Sequence, residues 1–456
     1  ASDMSSWLLM GLPGVAYLSG TADAAWTAIG LAIGTYVNWL VVAKRLRNYT
    51  HVCGNSTTLP LFFSNRYRDN KRILSVIAAL LIIIFFVPYT ASGFAACGKL
   101  FANLFGMDYL PAMLISAIVI VAYTTLGGFL AASTTDFVQS IVMTIAIVVV
   151  FGFGISKVGS FSAVMDNAKS MAGYFSLTHT HDVATGTASP YSLLQIFSTL
   201  AWGLGYFGMP HVLLRFMAIG DANKLKLSRR VATVWVVISM AVSVFIGVIG
   251  NAMTKASVLP TLKDPETIIL VVSDLISKHG VLATIIAGLI LAGILAATMS
   301  TADSQLLAAS SSASQNILKE VFMKDMSEKT GMLIARITVL VIALIGVFIA
   351  RNPDSSVFQI VSFAWAGFGA SFGPLVLLAL FWKRSTFQGA LCGMVSGGVM
   401  VFVWKFLIRP MGGALGIYEL LPAFLLGLAV NVIVSLLTPA PSREVQDEFD
   451  KVASMK

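Results

Sequence analysis

ASDMSSWLLMGLPG, residues 1–14, sets an acid (Asp3), three hydroxyls (Ser2, Ser5, Ser6), an aromatic (Trp7) and three breakers (Gly11, Pro13, Gly14) inside an apolar run. In a water-soluble protein this would be an ordinary helix start, with Ser2 or Asp3 as the cap. The rest of the chain removes that setting. Of its residues 57% are hydrophobic and 11% charged, and mean hydropathy is +0.85. The apolar residues fall in runs of about 20, the length that spans a bilayer as helix, not along one helical face. Outer-membrane strands would instead show short alternating segments. The composition therefore predicts an all-α membrane protein. The net charge of +9 sits in short loops between apolar runs, which is a topology signal and not a nucleic-acid footprint. Cys53, Cys97 and Cys392 show no CxxC spacing, so neither a disulfide framework nor a zinc site is indicated.

Hydropathy places helices near 5–20, 24–43, 72–103, 109–131, 133–156, 190–217, 229–254, 279–318, 331–350, 355–382, 386–408 and 415–437. Residues 1–438 are expected to form one transmembrane domain and 439–456 a polar tail. The chain has no starting Met and no signal peptide. A fragment lacking an upstream helix and the first half of this one is the expectation. Lys44, Arg45, Arg47, Arg66, Arg68, Lys71 and Arg72 share one loop. If each segment crosses once, Lys224, Lys226, Arg229, Arg230, Lys319, Lys383, Arg384 and the tail fall on the same side, which should be cytoplasmic.

Two further runs are interrupted: AWGLGYFGMPH (201–211) and AGFGASFGP (366–374). Broken helices at membrane depth persist only where neighbours or a water-filled site satisfy the freed backbone groups. For AGFGASFGP, close glycine packing and a binding role stand level. The first stretch and 201–211 head segments one and six, and five crossings invert the topology between them. Paired interruptions in two inverted halves point to a transport site near the midplane.

On the eighth segment Ala297, Ser300, Thr301 and Ser304 lie at i, i+3, i+4 and i+7, one stripe of small and hydroxylated side chains. Such a stripe serves helix packing, or, facing an unwound neighbour, supplies hard oxygen ligands for a small alkali cation. Asp3, Asp136 and Asp303 are the acids at membrane depth, where function is the default hypothesis; Asp136 has a second reading as a helix cap. Trp7, Tyr89, Trp202 and Tyr206 lie in or beside interrupted stretches and suit a small amphipathic ligand with an ammonium group. His179, His181 and Asp182 read as a solvated loop ahead of a metal cluster. GFAACGKL (93–100) mimics a phosphate loop, but Leu100 replaces the required hydroxyl and the segment is transmembrane. No hydrolase motif or ATPase domain appears, so an enzyme is not expected and energy must come from an ion gradient or the solute.

These blocks together, with GGFLA (127–131) and the TTD ending at Asp136, RFMA at Arg215 and LAATMSTADSQL, resemble the solute:sodium symporter family, and within it the bacterial sodium/proline symporters. The resemblance covers nearly the whole chain. It implies a five-plus-five inverted-repeat bundle with discontinuous first and sixth helices and extra peripheral helices, in a bacterial cytoplasmic membrane. It implies Na+ as coupling ion and proline as the co-transported ligand, with no obligate protein partner. By the same resemblance sodium rests on the carbonyls of Ala1, Met4 and Ala297 and the hydroxyls of Ser300 and Thr301. Ser5, Trp7, Tyr89, Trp202 and Tyr206 correspond to the proline pocket. Asp3 corresponds to a coupling residue and Asp136 to a second-cation position in some relatives, while Asp303 and Ser304 of this chain are further candidates for coupling or a second cation. The sequence departs from the family at Asp303, where relatives carry a small or hydroxyl residue, and at Met209, where GQPH has a polar one. A symporter of another small organic solute (a different amino acid, pantothenate or sialic acid) and a non-transporting sensor are the alternative readings.

Overall fold

A computed structural model of the chain describes residues 4–127, 129–322 and 326–455. Ala1, expected as a sodium ligand, and Asp3, expected as a coupling residue, lie outside the described residues.

Twelve apolar helical spans are present among the described residues, nine long enough to cross a membrane and three shorter. The chain is a multi-pass membrane protein. In order they are α1 (Trp7–Ser19), α2 (Thr21–Val52), α4 (Ile73–Phe105), α5 (Tyr109–Gly127) and α6 (Phe129–Val158). A short helix, α3 (Leu59–Arg66), lies in the basic loop before α4. The second set opens with α8 (Leu193–Leu200), a 3₁₀ stretch (Ala201–Phe207) and α9 (Pro210–Ala218). It continues with α10 (Leu225–Lys255), α12 (Val281–Ser311), α13 (Glu328–Ala350) and α14 (Val357–Phe381). Two peripheral helices, α15 (Phe387–Val403) and α16 (Leu420–Leu437), pack on each other and on α14.

Both inverted sets thus open on a broken element. Met4 and Ser5 are non-helical, and α1 begins with a wide π turn over Trp7–Gly11. The partner break is the 3₁₀ stretch, ended by Gly208 and Met209 before Pro210 restarts the helix as α9. The AGFGASFGP segment is different: α14 runs through it without a break, Pro374 included. Packing wins there because its glycines admit neighbours. A Cβ at Gly367 would sit 2.1 Å from the Phe85 ring, and one at Gly369 would sit 2.8 Å from the Gly205 backbone.

The polar loop after α6 holds a short helix, α7 (Phe161–Ser170), and a hairpin of β1 (His179–His181) against β2 (Ala188–Pro190). Its histidines serve the hairpin, His181 Nδ1 lying 2.8 Å from the Ala172 carbonyl. Asp182 accepts the Ala184 N–H at 2.9 Å, which holds its carboxyl below the usual range.

The tail is a helix as well, α17 (Arg443–Ser454), and a further short helix, α11 (Ile268–Ser277), lies between α10 and α12. Val445, Phe449 and Val452, at i, i+4 and i+7, form its buried face. Phe449 lies under the Arg45 guanidinium, 5.0 Å from the ring centre, and edge-on to Tyr49 at 6.4 Å. Arg68 reaches Glu444 at 2.9 Å and Glu448 at 2.7 Å, and Lys383 pairs with Asp450. The acidic helix therefore covers the basic loop end of α2. Replacing Phe449 by Ala removes the ring that fills this seam, a loss of about 3 kcal/mol. Limited proteolysis should then cut between Thr438 and Ser442 much faster than in the wild type, with the membrane helices intact.

Candidate functional site

The two breaks meet. Trp7 and Trp202 lie with ring centres 5.4 Å apart. Around them a small cavity of about 10 Å³ is lined by Met4, Trp7, Tyr89, Trp202 and Tyr206, with Leu31, Met240, Val361 and Trp365 completing the wall. Four of the five aromatic and hydroxyl residues expected at a substrate pocket line it. Ser5 does not; it is buried, and its Oγ accepts the Trp7 backbone N–H at 3.2 Å.

Small residues make the broken stretch fit. A Cβ on Gly34 would stand 2.3 Å from the Gly203 carbonyl oxygen, and one on Gly203 would stand 2.2 Å from that of Gly30. Helix α2 thereby lies directly on the 3₁₀ backbone. Carbonyls there that a continuous helix would have bonded are taken by side chains: Trp365 Nε1 donates to Trp202 O at 2.8 Å, and Asn38 Nδ2 donates to Tyr206 O at 3.1 Å. Replacing Trp365 by Phe keeps an aromatic ring but removes the indole donor to the Trp202 carbonyl, a cost of about 1–3 kcal/mol. Solute affinity in a binding assay should fall by roughly tenfold.

Above the cavity Phe358 stacks on Trp7 at 6.0 Å and lies 5.5 Å from Trp202. The three rings form a roof. Beyond it opens a vestibule of about 1290 Å³, reached from the loops poor in Lys and Arg, with Gly11, Trp202 and Phe358 at its floor. Glu266 fixes that floor. Its carboxylate accepts the N–H groups of Val357 and Phe358 at 3.0 Å each and the Ser356 hydroxyl at 2.8 Å, holding the start of α14. Lys99 completes the node, 2.9 Å from Glu266 and 2.7 Å from Asp264.

On α12, Ala297, Ser300 and Thr301 are buried. Ser300 Oγ donates to the Ala297 carbonyl at 3.0 Å, and Thr301 Oγ1 has no hydrogen-bond partner among the described residues. A buried hydroxyl left open beside a carbonyl is the donor set a hard cation takes. The second-cation candidates are arranged otherwise. Arg215 Nη2 donates to Asp136 Oδ2 at 2.8 Å and to Ser304 Oγ at 3.0 Å, so a guanidinium from α9 stands between them. Asp136 lies inside α6 and is not its cap. Asp303 is buried with neither oxygen hydrogen-bonded among the described residues.

Sequence reading missed Phe358, Leu31, Met240 and Val361, which carry no signal beyond being apolar. Trp365 stood one residue outside the flagged AGFGASFGP.

A sodium/proline symporter of Staphylococcus aureus (strain USA300) is 40% identical over 458 residues, 99% of this chain and 86% of that protein, and one from strain COL matches equally. Among solved structures, the substrate-bound outward-open state of a Na+-coupled sialic acid symporter superposes with a TM-score of 0.77 at 18% identity, over 97% of this chain and 89% of that one. Mhp1, a nucleobase-cation-symport-1 family transporter, in a closed conformation with bromovinylhydantoin bound, gives 0.53 at 12% identity, over 98% and 93%. Both share the fold of this chain. The model of the Sodium:solute symporter family matches residues 1–397, and the chain belongs to that family: it is a transporter, not an enzyme, and its coupling ion is Na+.

Proposed function

We propose that this protein takes up L-proline with sodium by alternating access across a bacterial cytoplasmic membrane, its C-terminal helix facing the cytoplasm. The observation that carries the reading is the meeting of the two broken helices in an aromatic box, Trp7 against Trp202 at 5.4 Å. Relatives at 40% identity that are sodium/proline symporters supply the substrate. Sodium rests on Met4, Ala297, Ser300 and Thr301, with Ala1 as a fifth ligand, and so holds the non-helical start of α1 in place. The pyrrolidine ring lies among Trp7, Tyr89, Trp202 and Tyr206. A carboxylate arriving there gives the Trp7 indole N–H, buried without a partner among the described residues, an acceptor.

A cavity of about 10 Å³ holds at most about one water. Proline therefore enters only when the Trp7, Trp202 and Phe358 roof parts, and the roof closing behind it commits the solute to the inner side. Because ion and solute share α1, each tightens the other by the same factor. Asp3 contributes to that coupling through α1. Asp136 and Ser304, held on Arg215, and Asp303 beside them line the inner route of the ion.

Equilibrium binding of labelled proline at graded sodium, with a panel of unlabelled amino acids, pantothenate and sialic acid as competitors, tests this. Proline should compete best, and its affinity should rise with sodium. A panel member that outcompetes proline would reassign the substrate.

A further inference from the structure

The cations at the head of α10 find no carboxylate among the described residues. Lys224, Lys226, Arg229 and Arg230 crowd its start, no acid stands in the first turn, and none of the four makes an ion pair there. Asp221, the nearest acid in sequence, accepts the Asn223 N–H at 2.9 Å. Lys226 meets Arg229 at i+3 and Arg230 at i+4, like-charge spacings that weaken a helix, and the macrodipole at this end favours anions. The local sequence leaves a positive charge that an anion from outside the chain would balance.

The position of these cations decides which anion. The Arg229 guanidinium crosses from α10 to α2 and lies over the Tyr36 ring, 5.6 Å from its centre, its Nε buried and without a hydrogen-bond partner among the described residues. Arg47 Nε donates to the Ile219 carbonyl at 2.7 Å and ties the same end of α2 to the loop before α10. Lys44, exposed one turn before Arg47, shares that rim. Away from the cations run two exposed apolar stripes at helical spacing: Ile33 and Leu40 beside Tyr36 on α2, and Val231, Val234 and Ile238 on α10. A cationic rim over a lipid-facing seam matches an anionic phospholipid, phosphate on the cations and acyl chains along the stripes. A soluble anion would use the rim alone.

We propose that this seam between α2 and α10 binds an anionic phospholipid, its phosphate held by Lys44, Lys226, Arg229 and Arg230. In the orientation proposed above the lipid lies in the inner leaflet, and its binding depends on neither sodium nor the proline assignment. Both helices back the broken elements. Helix α2 lies on the 3₁₀ stretch through Gly34 and Gly203, and α10 lies on α1, where a Cβ at Gly247 would stand 2.3 Å from the Pro13 carbonyl oxygen. A lipid bridging their ends holds the two supports of the transport site together.

Thermal unfolding of the full chain in nonionic detergent, washed of native lipid, tests this with added phosphatidylglycerol, phosphatidylcholine or inorganic phosphate. Phosphatidylglycerol should raise the wild-type midpoint by about 3–6 °C, and the other two should leave it near the value in detergent alone. Lys226→Gln/Arg230→Gln removes two exposed cations. Without lipid its midpoint should equal or exceed that of the wild type, because a like-charge repulsion is relieved. Half-maximal stabilisation should then need about fivefold more phosphatidylglycerol for each cation lost. Lys71→Gln/Lys329→Gln removes the same charge from exposed positions elsewhere on the basic side and should respond like the wild type. No stabilisation of the wild type by phosphatidylglycerol, or an undiminished response in Lys226→Gln/Arg230→Gln, overturns the site. Equal stabilisation by phosphatidylcholine would make the seam a general lipid surface, equal stabilisation by inorganic phosphate a free-anion site, and an equal loss in both double variants an effect of bulk charge; each of these overturns it too.

Discussion

With Ser300 and Thr301 both replaced by alanine, half-maximal proline binding should require on the order of ten times more sodium, or beyond, since each loss of about 1.4 kcal/mol in ion binding is a factor of ten. Both hydroxyls are buried on α12, Thr301 Oγ1 has no hydrogen-bond partner among the described residues, and Ser300 Oγ sits 3.0 Å from the Ala297 carbonyl. The substitution is small in volume, so the helix should survive it. Proline affinity extrapolated to saturating sodium should stay near that of the wild type, because neither residue lines the aromatic cavity. A sodium titration of labelled-proline binding reads both quantities at once. Unchanged sodium dependence would remove these residues from the ion site.

The second large effect concerns the node over the roof. Glu266→Ala removes the carboxylate that accepts two N–H groups at the start of α14, beside the Ser356 cap, and leaves Lys99, whose side chain is 7% exposed, with Asp264 as its one ion-pair partner among the described residues. Lys99 keeps Asp264, so the loss stays below the roughly 3–5 kcal/mol of a buried pair broken outright, with about 1–3 kcal/mol added by the N–H groups left unpaired at the helix start. Thermal unfolding in detergent should show a large drop in midpoint. Adding Lys99→Met should recover part of it, because the desolvated ammonium is then gone. A double variant no more stable than Glu266→Ala would mean that the helix start alone matters.

The lysine in that node illustrates what the sequence could and could not disclose. Lys99 was visible only as part of a false phosphate loop, because its partner Glu266 lies 167 residues away. No local period marks such a pair. Arg215 and Asp136, 79 residues apart, were hidden for the same reason. The helical spans, by contrast, were legible because the bilayer imposes length and composition on each one separately. The two breaks were legible because glycine and proline inside a spanning run are costly unless something satisfies the backbone. The third interruption misled because the same glycines also permit close packing, and Phe85 and Phe424 fill the space their missing Cβ atoms leave. The tail helix carries its 3.6-residue period in Val445, Phe449 and Val452, but three apolar residues in a polar stretch do not say which surface they pack on. Phe358 had no local mark at all; its role comes from where α14 starts, and that start is set by Glu266.

The most direct measurement is uptake of labelled proline into proteoliposomes holding the protein, with and without an inward sodium gradient. Accumulation above the external concentration with sodium, and none with potassium in its place, is the predicted result. Accumulation that ignores sodium, or simple equilibration under both conditions, would contradict coupling through the shared first helix.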